Sequence, residues 1–367
     1  MNSLTGIYGA ASALRNQLFD RGVLTSRRLD RPVVSVGNLS VGGVGKTPFV
    51  IALGELLKAR GIRFDVLSRG YGRKTRGVLV VDPNGSPSDF GDEPLLIARR
   101  LAVPVVVGES RYQAGRLAEK MFDPQLHILD DGFQHRSLAR DFDIVLLSDS
   151  DFDDRLLPSG RLREPLVSLQ RADAIVLPVH TRMERPLLSS AAPAANVAAE
   201  TSATENVSKE KTVADHPALR GKLLWRMNRE IAVPAAPDPP IVFCGIARPE
   251  QFFAQVRAAG TTPAAEVIFP DHHAYRQKDI ERLQATRAKR TADESATARG
   301  SATAGGFLTT EKDAINLGPL QAQLNPLAIA TLTVVLDNPT VIVDTILARI
   351  GLTDLNPQDL NPGAQSS

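Results

Sequence analysis

The chain has 367 residues, 23% of them charged and 43% hydrophobic, with a formal charge of +2. That length supports two domains with cores of their own. A charge so near neutral excludes the basic footprint of a nucleic-acid binder. The single cysteine, Cys244, lies in the apolar run Ile241-Val242-Phe243-Cys244. An internal disulfide and a cysteine-built zinc site are therefore excluded, and a small core residue in a reducing compartment is expected.

Near the N-terminus Leu4, Ile7, Tyr8, Ala11, Leu14 and Leu18 recur at helical spacing, and Arg27, Arg28 and Arg31 follow. A helix of this kind either lies in a membrane interface, with its basic neighbours near anionic headgroups, or packs on the domain; the pattern leaves both open. No segment has the length and apolarity of a spanning helix, and no signal-peptide pattern is expected. Next comes a buried strand, Pro32 to Gly37, then Ser40-Val41-Gly42-Gly43-Val44-Gly45-Lys46-Thr47, then a helix with Phe49, Leu53, Leu56 and Leu57 on one face. Strand, glycine-rich loop and helix form a phosphate-binding loop. Its glycines let backbone N–H groups surround phosphate oxygens, Lys46 reaches the β- and γ-phosphates of ATP, and the Thr47 hydroxyl suits Mg²⁺. Ser40 stands where the usual pattern has glycine, and it is small enough to keep the loop permissive.

Downstream, Arg63 to Ser68 reads as a strand, followed by the basic glycine loop Arg69-Gly70-Tyr71-Gly72-Arg73. Val78 to Val81 is a short strand. Gly91-Asp92-Glu93-Pro94 opens a helix over Leu95 to Leu101, and Ser110 caps another. Leu126 to Asp131 is an apolar strand ending in two acids. Phe142 to Leu147 and Ala174 to Leu177 are further buried strands. Uniformly apolar strands alternating with helices predict an α/β fold: a P-loop NTPase-like parallel sheet covered on both faces. A second, smaller α/β unit is expected after the proline-rich stretch 234–240, with strands at Ile241, Ala265, Phe307 and Ala330 and helices from Glu250, Gln277 and Val341. The expected division is an N-terminal helix over 1–30, a core over 31–220, a linker over 221–240, a second domain over 241–352 and a disordered tail over 353–367. Low-complexity stretches at 189–215 and 290–305 read as surface insertions.

Asp130 and Asp131 end a strand at the place where P-loop proteins hold the Mg²⁺ that bridges the phosphates; the alternative is a pair of turn acids. Asp92, and Asp271 with His272, sit at strand-to-helix junctions. There a carboxylate and an imidazole suit proton transfer, although from spacing alone each reads more readily as a helix cap. His135 and His273 have weaker claims. Arg161 and Arg163 lie in a short basic loop suited to solvent or to a phosphorylated substrate.

The stretch Ser35 to Pro48 resembles the nucleotide loop of the tetraacyldisaccharide 4′-kinase family, the lipid A 4′-kinases. Ser68 to Arg73, Gly91 to Pro94, Leu129 to His135, Leu157 to Pro165, Phe269 to His273 and Thr310 to Ala314 match further motifs in the family's order. The resemblance spans residues 4–350 apart from the two insertions. It implies ATP- and Mg²⁺-dependent phosphorylation of the 4′-hydroxyl of a tetra-acylated disaccharide 1-phosphate at the cytoplasmic face of the inner membrane. It also implies two α/β/α units joined by a two-stranded linker. Asp92 matches the family's catalytic aspartate, His272 its paired histidine, Asp130 and Asp131 the acids near Mg²⁺, and Glu164 a glutamate near the nucleotide. The family's N-terminal helix is membrane-associated, which favours the interface for this one. Arg69, Arg73, Arg161 and Arg163 are candidate ligands for the substrate phosphate. The expected partners are the lipid substrate and the membrane surface, with no obligate protein partner. Two rival readings are weaker. A partitioning-type switch ATPase needs a lysine where this chain has Val41, and a GTPase needs a Thr/Asn-Lys-x-Asp loop, in which Lys312 falls one place late.

Overall fold

The computed structural model describes residues 3–179, 216–234, 237, 239–296 and 305–353. The stretch at 189–215 and the tail from 354 lie outside the described residues. In chain order the elements are α1 (Ser3–Asp20), β1 (Val33–Asn38), α2 (Lys46–Ala59), β2 (Phe64–Ser68), β3 (Leu79–Val80), the single turn α3 (Pro87–Phe90), α4 (Asp92–Leu101), β4 (Val105–Val107), α5 (Arg111–Phe122), β5 (Leu126–Asp130), β6 (Phe142–Leu146) and β7 (Ala174–Pro178). Then follow β8 (Leu223–Ala232), β9 (Pro240–Cys244), α6 (Pro249–Ala258), β10 (Ala265–Ile268), α7 (Gln277–Ala296), β11 (Gly306–Thr310), α8 (Glu311–Leu317), β12 (Leu327–Leu336) and α9 (Pro339–Arg349).

The strands join in the order β10-β9-β11-β12-β8-β7-β6-β1-β5-β2-β4-β3. Neighbours are parallel except for β12 with β8 and β3 with β4. The apolar runs predicted as buried strands are fully buried in β1, β2, β5 and β6, because helices cover both faces of a parallel sheet. β1 lies between β5 and β6, with Val36 level with Asp130. Chain crossovers leave β1 toward β2 on one side and return to β6 on the other. This is the switch point at whose carboxyl end α/β sheets bind ligands.

β8 and β12 are long enough to serve two partners each. β8 pairs with β7 over Leu223–Met227 and with β12 over Met227–Ala232. β12 pairs with β11 over its first half and with β8 over its second. Beyond this crossed pair, Ile241, Phe243, Phe269 and Phe307 build a separate apolar cluster. Two elements differ from the expectation. α7 runs on to Ala296, into the stretch expected to be low-complexity, where Ala and Glu favour helix. α9 was expected within the second unit, yet it returns to pack Ile342, Val343, Ile346 and Leu347 into the core around Phe49 and Leu53.

Candidate active site

The loop after β1 is shaped by its own backbone. Gly45 caps α2 with φ 95°, a left-handed conformation that suits glycine. Asn38 Nδ2 donates to the Ser40 carbonyl at 2.6 Å, and Val41 N donates to the Arg161 carbonyl at 2.8 Å. Ser40 is buried beside Leu162 and Val44 points into the core, so of the expected loop residues Val41, Gly42 and Gly43 remain exposed. Lys46 Nζ donates to Asn38 Oδ1 at 2.8 Å and lies 3.2 Å from Asp131 Oδ1.

Asp130 and Asp131, adjacent in sequence, have opposite environments. Asp131 receives both Arg163 nitrogens, at 2.9 and 3.0 Å, in addition to Lys46. Burial pushes its carboxyl up, but Lys46 and Arg163 outweigh that and hold it well below the usual carboxylate range. Arg163 also donates to Asn38 Oδ1, tying the end of β1 to the acid. Asp130 is buried, accepts one bond from Ser68 Oγ at 3.1 Å, and leaves Oδ1 shielded with no partner. Burial, then Glu93 and Asp131, push its carboxyl up to about 7. A buried, unsatisfied carboxylate oxygen calls for a cation. With the Thr47 hydroxyl in the first turn of α2 it offers the hard oxygen donors that suit Mg²⁺, whose other positions go to phosphate and water. Among the described residues no cluster of three or more His, Cys, Asp or Glu side chains makes a metal site by itself.

The second constellation joins distant parts of the chain. Asp92 begins α4 after Gly91, whose φ is 90° and whose added Cβ would come 2.9 Å from the Tyr71 carbonyl. His272 Nδ1 donates toward Asp92, 2.9 Å from Oδ2 and 3.2 Å from Oδ1. Asn316 Nδ2 donates to Oδ2 at 3.1 Å, and Lys312 Nζ is 3.8 Å away. Burial raises the Asp92 carboxyl, but the His272 hydrogen bond and the Lys312 charge outweigh it, leaving the group below its ordinary value. The bond to Asp92 raises His272, against burial and Lys312. The pair is thus held as carboxylate and imidazolium. Lys312 also reaches Asp271 at 3.3 Å and Glu93 at 3.7 Å. Lys312 and Asn316, one helical turn apart on α8, were not among the expected site residues. The signal for Lys312 was its place in the Thr310–Ala314 motif; Asn316 had none beyond the four-residue spacing. Asp313 fixes the frame by accepting from Gly245 N and Tyr275 Oη, each at 2.8 Å.

The basic candidates separate. Arg163 serves Asp131. Arg161 is held by Asp154 and Ser150, each at 2.7 Å. Arg73 is buried, donating to Gly77 O at 2.6 Å and pairing with Glu109 at 2.9 Å. Arg69 is exposed and near Arg111, which the sequence did not single out. Burial, then the Arg69 charge, push the Arg111 guanidinium down to about 10. His135 is pushed down to about 4 by burial and then by Arg111, Arg140, Arg15 and Arg69. These groups form a cationic corner whose field also reaches Asp130 and Asp131. Glu164 is buried and accepts from Asn16 Nδ2 at 2.7 Å and Arg171 at 2.8 Å.

α1 closes this side. Tyr8 Oη donates to the Arg163 carbonyl at 3.0 Å and Arg15 to the Gln134 carbonyl at 3.1 Å. Its polar face therefore touches the site, while Leu4, Ile7 and Leu14 stay exposed. Among the described residues no helix is long and apolar enough to cross a membrane.

A family model described as tetraacyldisaccharide-1-P 4′-kinase matches residues 1–351. The chain belongs to that family. A tetraacyldisaccharide 4′-kinase of Koribacter versatilis is 44% identical over 360 residues, 95% of this chain and 98% of that protein. One from Geobacter metallireducens is 37% identical, covering 90% of this chain and 92% of the relative. The crystal structure of the Aquifex aeolicus family member LpxK in complex with ATP is similar at a TM-score of 0.68 and 32% identity, covering 95% of this chain and 98% of the other. The fold is that of a P-loop kinase, as the strand–loop–helix pattern led us to expect. The rival switch-ATPase and GTPase readings find no support in these relatives.

Proposed function

We infer that this chain is an ATP-dependent kinase that phosphorylates the 4′-hydroxyl of a tetra-acylated disaccharide 1-phosphate in lipid A biosynthesis. The observation that carries the reading is the Asp92–His272 contact, 2.9 Å long, made beside a phosphate-binding loop by residues 180 positions apart. ATP lies on residues 40–47. Lys46 neutralises charge on the phosphoryl group being transferred. Asp92 orients the sugar hydroxyl and takes its proton. His272 holds the carboxylate in the ionised, outward-facing state that this role requires. Because His272 Nδ1 is committed to Asp92, the imidazole is a positioning group and not the base.

Mg²⁺, when bound, bridges the β- and γ-phosphates and disperses their charge. Asp130 and Thr47 would hold it, and Asp131 is better read as the acid that locks Lys46 and Arg163 in place. Arg69 and Arg111 suit the substrate's phosphate, since a cationic corner without matching acids favours an anion. Glu164, tied to Asn16 and Arg171, supports the nucleotide side through Arg163 and α1. The separate apolar clusters on either side of the β8–β12 pair support working lobes of 31–220 and 241–352, with 221–240 as the joint and α9 packed back on the first lobe. The exposed stripe of α1, together with Val23, supports a peripheral, interfacial seat at the cytoplasmic face of the inner membrane, where the acylated substrate resides.

The test is a purified-protein assay with ATP, Mg²⁺ and the acylated disaccharide 1-phosphate in detergent micelles. The 4′-phosphorylated lipid is the expected product, and its absence would remove the assignment.

A further inference from the structure

Two arginines flank the loop on a side that Lys46 does not use. A Cβ added at Gly45 would come 3.3 Å from Cδ and 4.0 Å from Nη1 of Arg229, and one at Gly43 would come 3.8 Å from the Ala247 Cβ. β8 and the turn 245–248 therefore lie directly against the loop. Arg229 is half-buried, and its side chain makes one polar contact, to Gln251 Oε1 at a long 3.4 Å. Arg248, just before α6, is half-buried too, and its Nη2 is shielded from solvent with no partner. Among the described residues neither arginine has a carboxylate in ion-pair range. Each is held below the usual guanidinium range by burial and then by a neighbouring arginine: Arg248 acts on Arg229, and Arg161 on Arg248, where Asp151 opposes it in part.

Half-buried guanidinium groups left facing one another without acids are costly, and such clusters mark anion sites. The anion nearest at hand is the one the loop itself holds. We propose that Arg229 and Arg248 bind the polyphosphate of ATP from the second lobe, so that the nucleotide itself draws His272 onto Asp92. The link is covalent and short. The turn that carries Ala247 and Arg248 begins at Gly245, whose carbonyl accepts the His272 backbone N–H at 3.2 Å. A phosphate that fixes Arg248 thus fixes the loop that presents the imidazole. The proposal rests on the ATP-kinase reading and adds to it a nucleotide-dependent closure.

The test compares Arg229→Gln and Arg248→Gln with wild type by calorimetric titration of ATP and AMP, and by the KM for the lipid substrate. Each variant is expected to weaken ATP binding about tenfold or more, to leave AMP within about twofold, since AMP lacks the terminal phosphates, and to leave the lipid KM unchanged. Arg229→Lys and Arg248→Lys should recover part of the loss because the charge remains. Arg257→Gln, which removes a cation of α6 paired with Glu266, should change nothing. Amide exchange at 269–273 should slow on adding ATP to wild type and not to Arg248→Gln. ATP affinity within twofold of wild type, an equal loss for AMP, a lowered melting temperature with ATP affinity intact, or a shift in lipid KM in place of ATP affinity would each overturn the proposal. A wild-type protein that binds no ATP would instead overturn the kinase reading beneath it.

Discussion

Asp92→Asn separates chemistry from folding at this site. The substitution keeps the volume and one acceptor oxygen but removes the charge that His272, Asn316 and Lys312 face. Lys312 loses its longest ion-pair partner, at 3.8 Å, and keeps Asp271 at 3.3 Å and Glu93 at 3.7 Å. α4 loses one of two first-turn acids, about 0.3–1 kcal/mol. A charged hydrogen bond adds about 1.5–3 kcal/mol, offset in part because a buried carboxylate is no longer desolvated. A net stability cost of about 1–2 kcal/mol leaves a domain of ordinary stability folded. Losing the group that takes the hydroxyl proton should slow turnover about 10²–10⁴-fold, about 3–5 kcal/mol in the barrier. His272→Asn leaves Asp92 with Asn316 and Lys312 and should cost less. The double variant should resemble Asp92→Asn, because residues acting as one unit are not additive. The assay is kcat at saturating ATP, with a melting curve on each protein. Asp92→Asn turning over within tenfold of wild type, or a double variant whose losses multiply, would refute the reasoning.

The same pair has a pH signature. His272 is raised by Asp92, while burial and Lys312 lower it and Asp271 raises it slightly. Without Asp92 the lowering influences dominate, so in Asp92→Asn the imidazole should titrate below its wild-type value, as read by NMR. The sign of the stability effect follows. A raised His272 stabilises the fold fully below its ordinary pKa of 6.5 and loses that contribution as pH rises through the folded value. A depressed Asp92 stabilises above its ordinary 3.8 and loses that as pH falls through its folded value. The difference in stability between wild type and Asp92→Asn should therefore be greatest between about pH 4 and 6.5 and shrink on either side.

Three further outcomes are expected. Gly45→Ala forces a Cβ into a φ of 95° against Arg229; it should cost about 1–3 kcal/mol of stability and most of the ATP affinity, measured by melting and by nucleotide titration. Asp130→Asn removes a buried carboxylate lacking a partner on Oδ1. It should raise the melting temperature of the nucleotide-free protein at pH 8 while abolishing turnover, and a lower melting temperature would contradict the reading of Asp130 as a strained acid kept for function. Replacing Leu4, Ile7 and Leu14 by Ser should release the protein from anionic vesicles in a flotation assay without altering its melting curve, since these side chains are exposed.

What the sequence made legible was local. The phosphate loop could be read because strand, glycines, Lys46 and helix follow one another within one turn of chain, and the apolar runs of β1, β2, β5 and β6 betray their burial without reference to anything distant. Asp130 and Asp131 were visible as a pair for the same reason. Their division of labour was not, because it depends on Arg163 and Lys46 reaching only one of them. Asp92 and His272 read as helix caps by spacing and became a pair only through the family resemblance, since contact across 180 residues leaves no periodic trace. Arginine was the least legible residue type. Arg73 and Arg161 looked free for a ligand and prove committed to Glu109 and Asp154. Arg111, Arg229 and Arg248 sit in ordinary-looking stretches and prove to lack matching acids. A basic residue's availability is set by whether a carboxylate from another element comes within reach, and that is a property of topology. For the same reason the cations without partners, more than the motif residues, mark where this fold leaves room for phosphate.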